Sequence, residues 1–69
     1  MSLRKLNASQ AQTFDSWLRH NGYDPHNMTL RQTIDSARSM SAWFETLYVN
    51  YSPRYLVAGI LALQNGGEV

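Results

Sequence analysis

The side chains that most readily bind metal ions lie closest together at His20, Asp24 and His26. Imidazole and carboxylate groups at this spacing could contribute to a zinc site, which needs three or four protein ligands. The chain has two histidines and no cysteine, so it offers no further nitrogen or sulfur ligand. A helix end followed by a loop is also a poorly preorganised position for ligands. We therefore expect these residues to be solvated, with neither a metal ion nor a cofactor bound.

Catalytic chemistry has equally little support in the order of the residues. Serine, histidine and aspartate all occur, but none stands in the sequence context of a nucleophile elbow or a catalytic triad. The five acidic residues are spread along the chain rather than paired. The adjacent glycines Gly66 and Gly67 stand at the extreme C-terminal end, which is no context for a phosphate-binding loop. We expect the protein not to be an enzyme.

Nucleic-acid binding is the alternative that the basic residues leave open. The net charge is only +1, so a phosphate-binding surface would be modest even if a dimer doubled it. The basic residues are Arg4, Lys5, Arg19, Arg31, Arg38 and Arg54. The order of helix, Gly22 and helix is similar in outline to a helix-turn-helix, but a loop of about seven residues replaces the usual 3–4-residue turn. A dimeric helical DNA-binding regulator is therefore the alternative function.

The aromatic residues between positions 43 and 55 are the most informative feature of the sequence: Trp43, Phe44, Tyr48, Tyr51 and Tyr55. We expect Phe44 and Tyr48 to belong to the core. Trp43 and Tyr51 lie nearer the edges of the apolar stripe, where aromatic residues are enriched at protein interfaces. The pattern predicts a partner-binding surface that consists of Trp43, Leu47, Tyr51, Arg54 and Tyr55.

A first helix is predicted over 8–21. Asn7 is a suitable N-cap, Gln10 completes a capping box, and Leu6 can pack onto Ala11 as a hydrophobic staple. A narrow apolar stripe that includes Phe14 and Leu18 follows at helical spacing. Gly22 suits a left-handed residue after the helix end, and Tyr23 can fold back onto Leu18.

A second helix is predicted over 30–51, since Thr29 and Gln32 form another capping box. Its apolar residues cover about half of the helix circumference, which is more than one neighbouring helix can bury. They are Leu30, Ile34, Ala37, Met40, Trp43, Phe44, Leu47, Tyr48 and Tyr51.

A third helix is predicted over 53–64, where Ser52 is the N-cap and Pro53 the first helical residue. The apolar run 55–63 is too short to cross a bilayer, which needs about 20 residues, so we expect no membrane segment. The run is apolar all round, with a bulky side and a side of small residues. We expect that small side, with Ala58, Gly59 and Ala62, to be a homodimer interface. The alternative is that the first helix and residues 1–6 cover it.

The length limits the whole architecture to one small domain. A chain of 69 residues and 7.9 kDa hides only about 60% of its unfolded surface on folding. Charged residues make up 16%, below the usual ~25%, and no signal peptide is evident, so we expect a cytoplasmic protein. The expected fold is an all-α, three-helix domain over 1–69, with flexible tails at 1–6 and 66–69 and completed by homodimerisation. The expected function is a non-enzymatic protein–protein interaction module, namely a regulator, adaptor or inhibitor.

Overall fold

Three helices make up the regular structure of the protein. The computed structural model describes residues 8–65, and its elements are α1 (Ala8–His20), α2 (Leu30–Thr46) and α3 (Pro53–Gln64). The predicted all-α, three-helix architecture is therefore confirmed. The predicted tails at 1–6 and 66–69, like the proposed N-cap Asn7 and the staple residue Leu6, lie outside the described residues.

The core lies around α3, which packs against both α1 and α2. Each helix contributes large buried side chains: Phe14 and Leu18 from α1, Ala37, Met40 and Phe44 from α2, and Leu56, Ile60 and Leu63 from α3. The contact between α2 and α3 also has a polar element. The amide of Gln64 donates a hydrogen bond of 2.9 Å to the hydroxyl of Thr33, which is fully buried. The buried side-chain polar atoms in the described part of the chain all have hydrogen-bond partners.

The end of α1 follows the glycine signal in the sequence. Gly22 has a φ of 88°, in the left-handed region that favours glycine. The backbone N–H of Tyr23 donates to the carbonyl of Leu18 (2.9 Å), and that of Gly22 donates to Arg19 (3.1 Å). This pair of hydrogen bonds is a Schellman motif, so the predicted helix stop is confirmed.

The starts of α2 and α3 are also as predicted. The Thr29 hydroxyl accepts from the backbone N–H of Gln32 (3.1 Å), and the Gln32 side chain accepts from that of Thr29 (3.0 Å). At α3 the Ser52 hydroxyl accepts from the backbone N–H of Tyr55 (3.1 Å), with Pro53 as the first helical residue. These side chains satisfy backbone donors that have no partner inside a helix.

The end of α2 corrects the prediction, because the helix stops at Thr46 and not at position 51. A second Schellman motif closes it: Tyr48 N–H donates to the carbonyl of Glu45 and Val49 N–H to that of Phe44, both at 3.0 Å. Tyr48 takes the left-handed position at φ 63°. Since this position usually holds glycine, the sequence carried no recognisable stop signal there.

The small residues of α3 lie differently from the prediction. Gly59 is buried within the chain, and Ala62 packs against the core. The residues over 56–64 are all buried or half-buried, whereas an open apolar side was expected in a single chain. The physical reason is that α1 and α2 both pack against α3. Of the three residues assigned to a dimer interface, Gly59 lies beneath the surface, and Ala58 is half-buried.

Candidate protein-binding surface

A continuous series of aromatic rings crosses the molecule from α1 to α3. Trp17 lies 6.4 Å from Trp43 between ring centroids, and Trp43 lies 4.8 Å from Phe44. Phe44 meets Tyr51 edge to face at 4.8 Å, and Tyr51 stacks on Tyr55 at 5.1 Å. Edge-to-face and offset stacks at these distances are favourable beyond simple burial. The series therefore joins all three helices to the connection between α2 and α3.

Tyr51 lies on the side of this series that contacts the core. Its ring contacts the buried Phe14 as well as Phe44, and it is half-buried. The amide of Gln10 on α1 donates hydrogen bonds to the hydroxyls of Tyr51 (3.3 Å) and Tyr55 (3.0 Å). Of the residues assigned to partner binding, Tyr51 is thus the one most engaged in holding the fold together.

The connection between α2 and α3 forms an exposed corner. We define the corner surface as Glu45, Leu47, Tyr48, Arg54 and Tyr55, all of them exposed. Leu47 is 50% exposed, Tyr55 is 40% exposed and Tyr48 is 99% exposed. The assignment of Phe44 to the core is confirmed, but that of Tyr48 is wrong. The helix ends before Tyr48, so this side chain leaves the apolar stripe that a longer helix would have given it.

The corner is held against α2 by a side-chain hydrogen bond. The hydroxyl of Ser41 donates to the backbone carbonyl of Tyr51 at 2.7 Å. The carbonyl belongs to an irregular segment, so it has no ladder or helix partner of its own. This bond fixes the returning chain beside the last turns of α2, and the exposed side chains are presented from a defined backbone.

Within the described part of the chain, the two charges at the corner form no ion pair, whereas Arg19 and Arg31 on the helices do. Arg31 forms an ion pair with Asp35, and Arg19 forms one with Asp15, which raises the pKa of Arg19 through hydrogen bonding and charge attraction. Among residues 8–65, Asp24, Arg38, Glu45 and Arg54 form no ion pair. Two of these four unpaired charges, Glu45 and Arg54, lie on the corner surface.

Trp43 contributes to a groove against α1. It is 38% exposed and lines an open groove of about 700 Å³ together with Trp17. The other lining residues come from α1 and the residue after it: Gln12, Thr13, Ser16, His20 and Asn21. The side chains around the groove are polar apart from the two indoles. The groove joins Trp43 to α1, whereas Leu47, Arg54 and Tyr55, which the sequence groups with it, do not line this groove.

The residues considered for metal binding do not converge. His20 lies on the groove, whereas the Asp24 carboxylate accepts a hydrogen bond from the backbone N–H of His26 (3.1 Å) inside the loop. Within the described residues, no three His, Cys, Asp or Glu side chains gather closely enough to hold a metal ion. No helix over 8–65 is long and apolar enough to cross a bilayer.

Sequence reasoning missed two residues that shape the exposed surfaces. The sequence predicts Tyr48 in the core and carries no signal against it, because the helix stops there without a glycine. Trp17 stands beside Leu18 of the α1 stripe, and nothing in its spacing indicates that it meets Trp43.

In comparisons with known proteins, no protein-family model, curated protein or solved structure matched this chain.

Proposed function

We propose that this protein is a small non-enzymatic protein–protein interaction module, a regulator, adaptor or inhibitor that binds another protein chain through the corner surface. The observation that carries the proposal is Tyr48, an aromatic residue that is 99% exposed and held at φ 63°. Both properties act against the stability of the isolated chain. A left-handed conformation costs a non-glycine residue roughly 1–2 kcal/mol.

The composition of the corner surface supports protein binding over other kinds of ligand. Tyrosine and arginine are among the residue types that contribute most to the energy of protein interfaces. Leu47 adds an aliphatic side chain beside Tyr48, and Arg54 adds a charge beside Tyr55. None of its residues lines the groove between α1 and α2, and their exposure suits docking to a protein better than enclosing a small molecule.

The neighbouring core also supports this assignment. Phe44 and Tyr51, which neighbour these residues in the chain, are already engaged in ring contacts with Phe14. The exposed residues therefore add little to the packing of the chain itself. Large apolar side chains left exposed in one short segment are typical of an interaction site.

Site-specific photo-crosslinking in the source cell tests the proposal. A photoreactive amino acid replaces Tyr48 in one variant and Leu30 in the other. Leu30 is a matched control, because it is 65% exposed but begins α2 at the opposite end from the corner. We expect a discrete covalent adduct to a protein from position 48 and none from position 30.

A pair of leucine substitutions shows whether that adduct depends on the surface. Leu47→Ser removes an exposed apolar side chain at the corner, and Leu30→Ser makes the same change at the far end of α2. We expect Leu47→Ser in the crosslinking background to abolish the adduct and Leu30→Ser to preserve it. Equal labelling from both positions, or an adduct that survives Leu47→Ser, would contradict a docking role for the corner.

A further inference from the structure

Glu45 and Arg54 at the corner each carry a charge of the same sign as the partial charge at their end of the helix dipole. Glu45 lies in the last turn of α2, where the free carbonyls give a partial negative charge. Arg54 lies in the first turn of α3, where the free N–H groups give a partial positive charge. Neither residue has an ion-pair partner among residues 8–65. Both placements are unfavourable in the isolated chain, and an opposite charge from outside would relieve each of them.

The backbone brings these two charges to the same corner. Glu45 follows Ser41 by one helical turn on α2, so both lie on one side of that helix. Arg54 comes shortly after Tyr51, whose carbonyl accepts the Ser41 hydrogen bond at 2.7 Å. The corner surface therefore carries one acid and one base, with Leu47 and Tyr48 between them in the chain.

Such a surface is complementary to a copy of itself. In a two-fold interface, residue i of one protomer contacts residue j of the other, and j contacts i. An acid and a base on one surface satisfy this condition when the two-fold axis runs across the line between them, since the rotation then opposes each charge to its opposite. A purely basic or purely acidic border would instead repel its own copy.

The exposed apolar area at the corner suits the centre of such an interface. An aromatic side chain buries about 150–250 Å² when it is covered. Tyr48 offers nearly all of its surface, and Leu47 and Tyr55 offer about half of theirs. A standard interface covers about 800 Å² on each partner, with an apolar centre and a polar rim. These three side chains provide a large part of that centre, and the exposed Asn50 and Ser52 lie beside it in the chain.

We infer that the chain bound at the corner surface is a second copy of this protein, in a two-fold dimer in which Glu45 of each protomer pairs with Arg54 of the other. The inference rests on the proposed function and specifies its partner. It also moves the dimer contact away from Ala58, Gly59 and Ala62, where the sequence had placed it.

Charge reversal measured by sedimentation equilibrium of the full chain tests the inference. The wild-type mass should approach twice the chain mass as the concentration rises from micromolar towards millimolar. Glu45→Arg and Arg54→Glu should each raise the dimer dissociation constant about tenfold, because symmetry replaces two attractive pairs with two repulsive ones. The double variant Glu45→Arg/Arg54→Glu should restore it to within about threefold of wild type. Leu30→Ser, at the far end of α2, should leave it unchanged.

The charge variants should not fail through misfolding, since each reversal favours the helix dipole that the native residue opposes. Tyr48→Gly provides a separate arm: it should fold more stably than wild type and still associate more weakly. A wild-type chain that stays monomeric throughout overturns the inference, and so does a double variant that is weaker than both single variants. If the chain stays monomeric but position 48 still forms the crosslinked adduct, the dimer inference is wrong and the proposed function remains, with a different protein as the partner.

Discussion

The side-chain hydroxyl of Ser41 donates a hydrogen bond of 2.7 Å to the backbone carbonyl of Tyr51. The bond ties the irregular connection between α2 and α3 to the side of α2. It also fixes the backbone from which the stacked rings of Tyr51 and Tyr55 project. One hydroxyl on a helix thus determines how the exposed corner is presented.

Removing this hydroxyl should destabilise the fold measurably. Ser41→Ala leaves the part-buried carbonyl of Tyr51 without its partner, which should lower the free energy of unfolding by about 1–2 kcal/mol. Urea denaturation followed by circular dichroism should show a lower midpoint and an unchanged slope. Ser39→Ala is the control, because Ser39 is exposed on the same helix and alanine has the higher helix propensity. Equal effects at both positions would mean that the Ser41 bond contributes nothing specific.

The N-cap of α3 leads to a second stability prediction. Ser52→Ala removes the acceptor of the Tyr55 backbone N–H and should cost about 0.5–2 kcal/mol. Ser52→Asp retains a side-chain acceptor at the cap and should largely preserve stability, with its charge close to the N-terminus of α3. The two midpoints should therefore differ clearly in the same urea titration. A neutral Ser52→Ala would show that water or another group satisfies the N–H equally well.

The features that could be predicted from the sequence are those determined by local chemistry. Thr29 with Gln32, Ser52 with Pro53, and Gly22 each specify a helix end through their own hydrogen bonds or their own φ angle. No distant contact has to be known for such an end to form. This is why the start of α2, the whole of α3 and the glycine stop after α1 agree with the structure.

The end of α2 could not be predicted, because its apolar pattern continues beyond the helix. Leu47 and Tyr51 stand at positions that extend the apolar stripe of α2 in phase. Neither residue packs as part of α2. Leu47 is an exposed residue at the corner, and Tyr51 packs against the core after the turn. Periodicity alone cannot show that the helix ends before Leu47, because the residue in the left-handed position after the helix is a tyrosine and not a glycine.

The candidate surface was predicted in part for the same reason. The exposure of Leu47, Arg54 and Tyr55 agrees with the expectation of an accessible surface beside the corner. The structure reverses the environments expected for Tyr48 and Tyr51. Because a turn begins at position 47, Tyr48 is exposed and Tyr51 is half-buried against the core. The pairing of Trp17 with Trp43 depends on how α1 packs, and this is a long-range property that no local pattern reveals.

The left-handed tyrosine gives the third prediction. Tyr48→Gly removes the steric cost of φ 63° and should raise the free energy of unfolding by about 1 kcal/mol. Tyr48→Ala is the matched control: it removes the same exposed ring but keeps a Cβ in the left-handed position. Its stability should remain within about 0.5 kcal/mol of wild type. If alanine stabilises as much as glycine, the exposed ring and not the backbone conformation is the source of the cost.

The small residues of α3 give the last prediction, which separates a core role from an interface role. Gly59 is buried, so Gly59→Leu forces a large side chain between packed helices and should cost about 1–3 kcal/mol or more. Ala58 is only half-buried, on the side of α3 that carries the exposed Arg54 one turn earlier. Ala58→Leu should therefore leave the thermal midpoint nearly unchanged.

The same alanine variant distinguishes the two possible dimer surfaces. If the dimer forms at the corner, Glu45→Arg should weaken it more than Ala58→Leu does, because position 58 only neighbours Arg54 one turn along α3. If the dimer instead uses the outer face of α3, the added bulk at position 58 should change the dissociation constant while Glu45→Arg does not. Measuring both variants at matched concentrations decides between the surfaces without reference to Gly59→Leu, whose effect on association would be masked by its effect on folding.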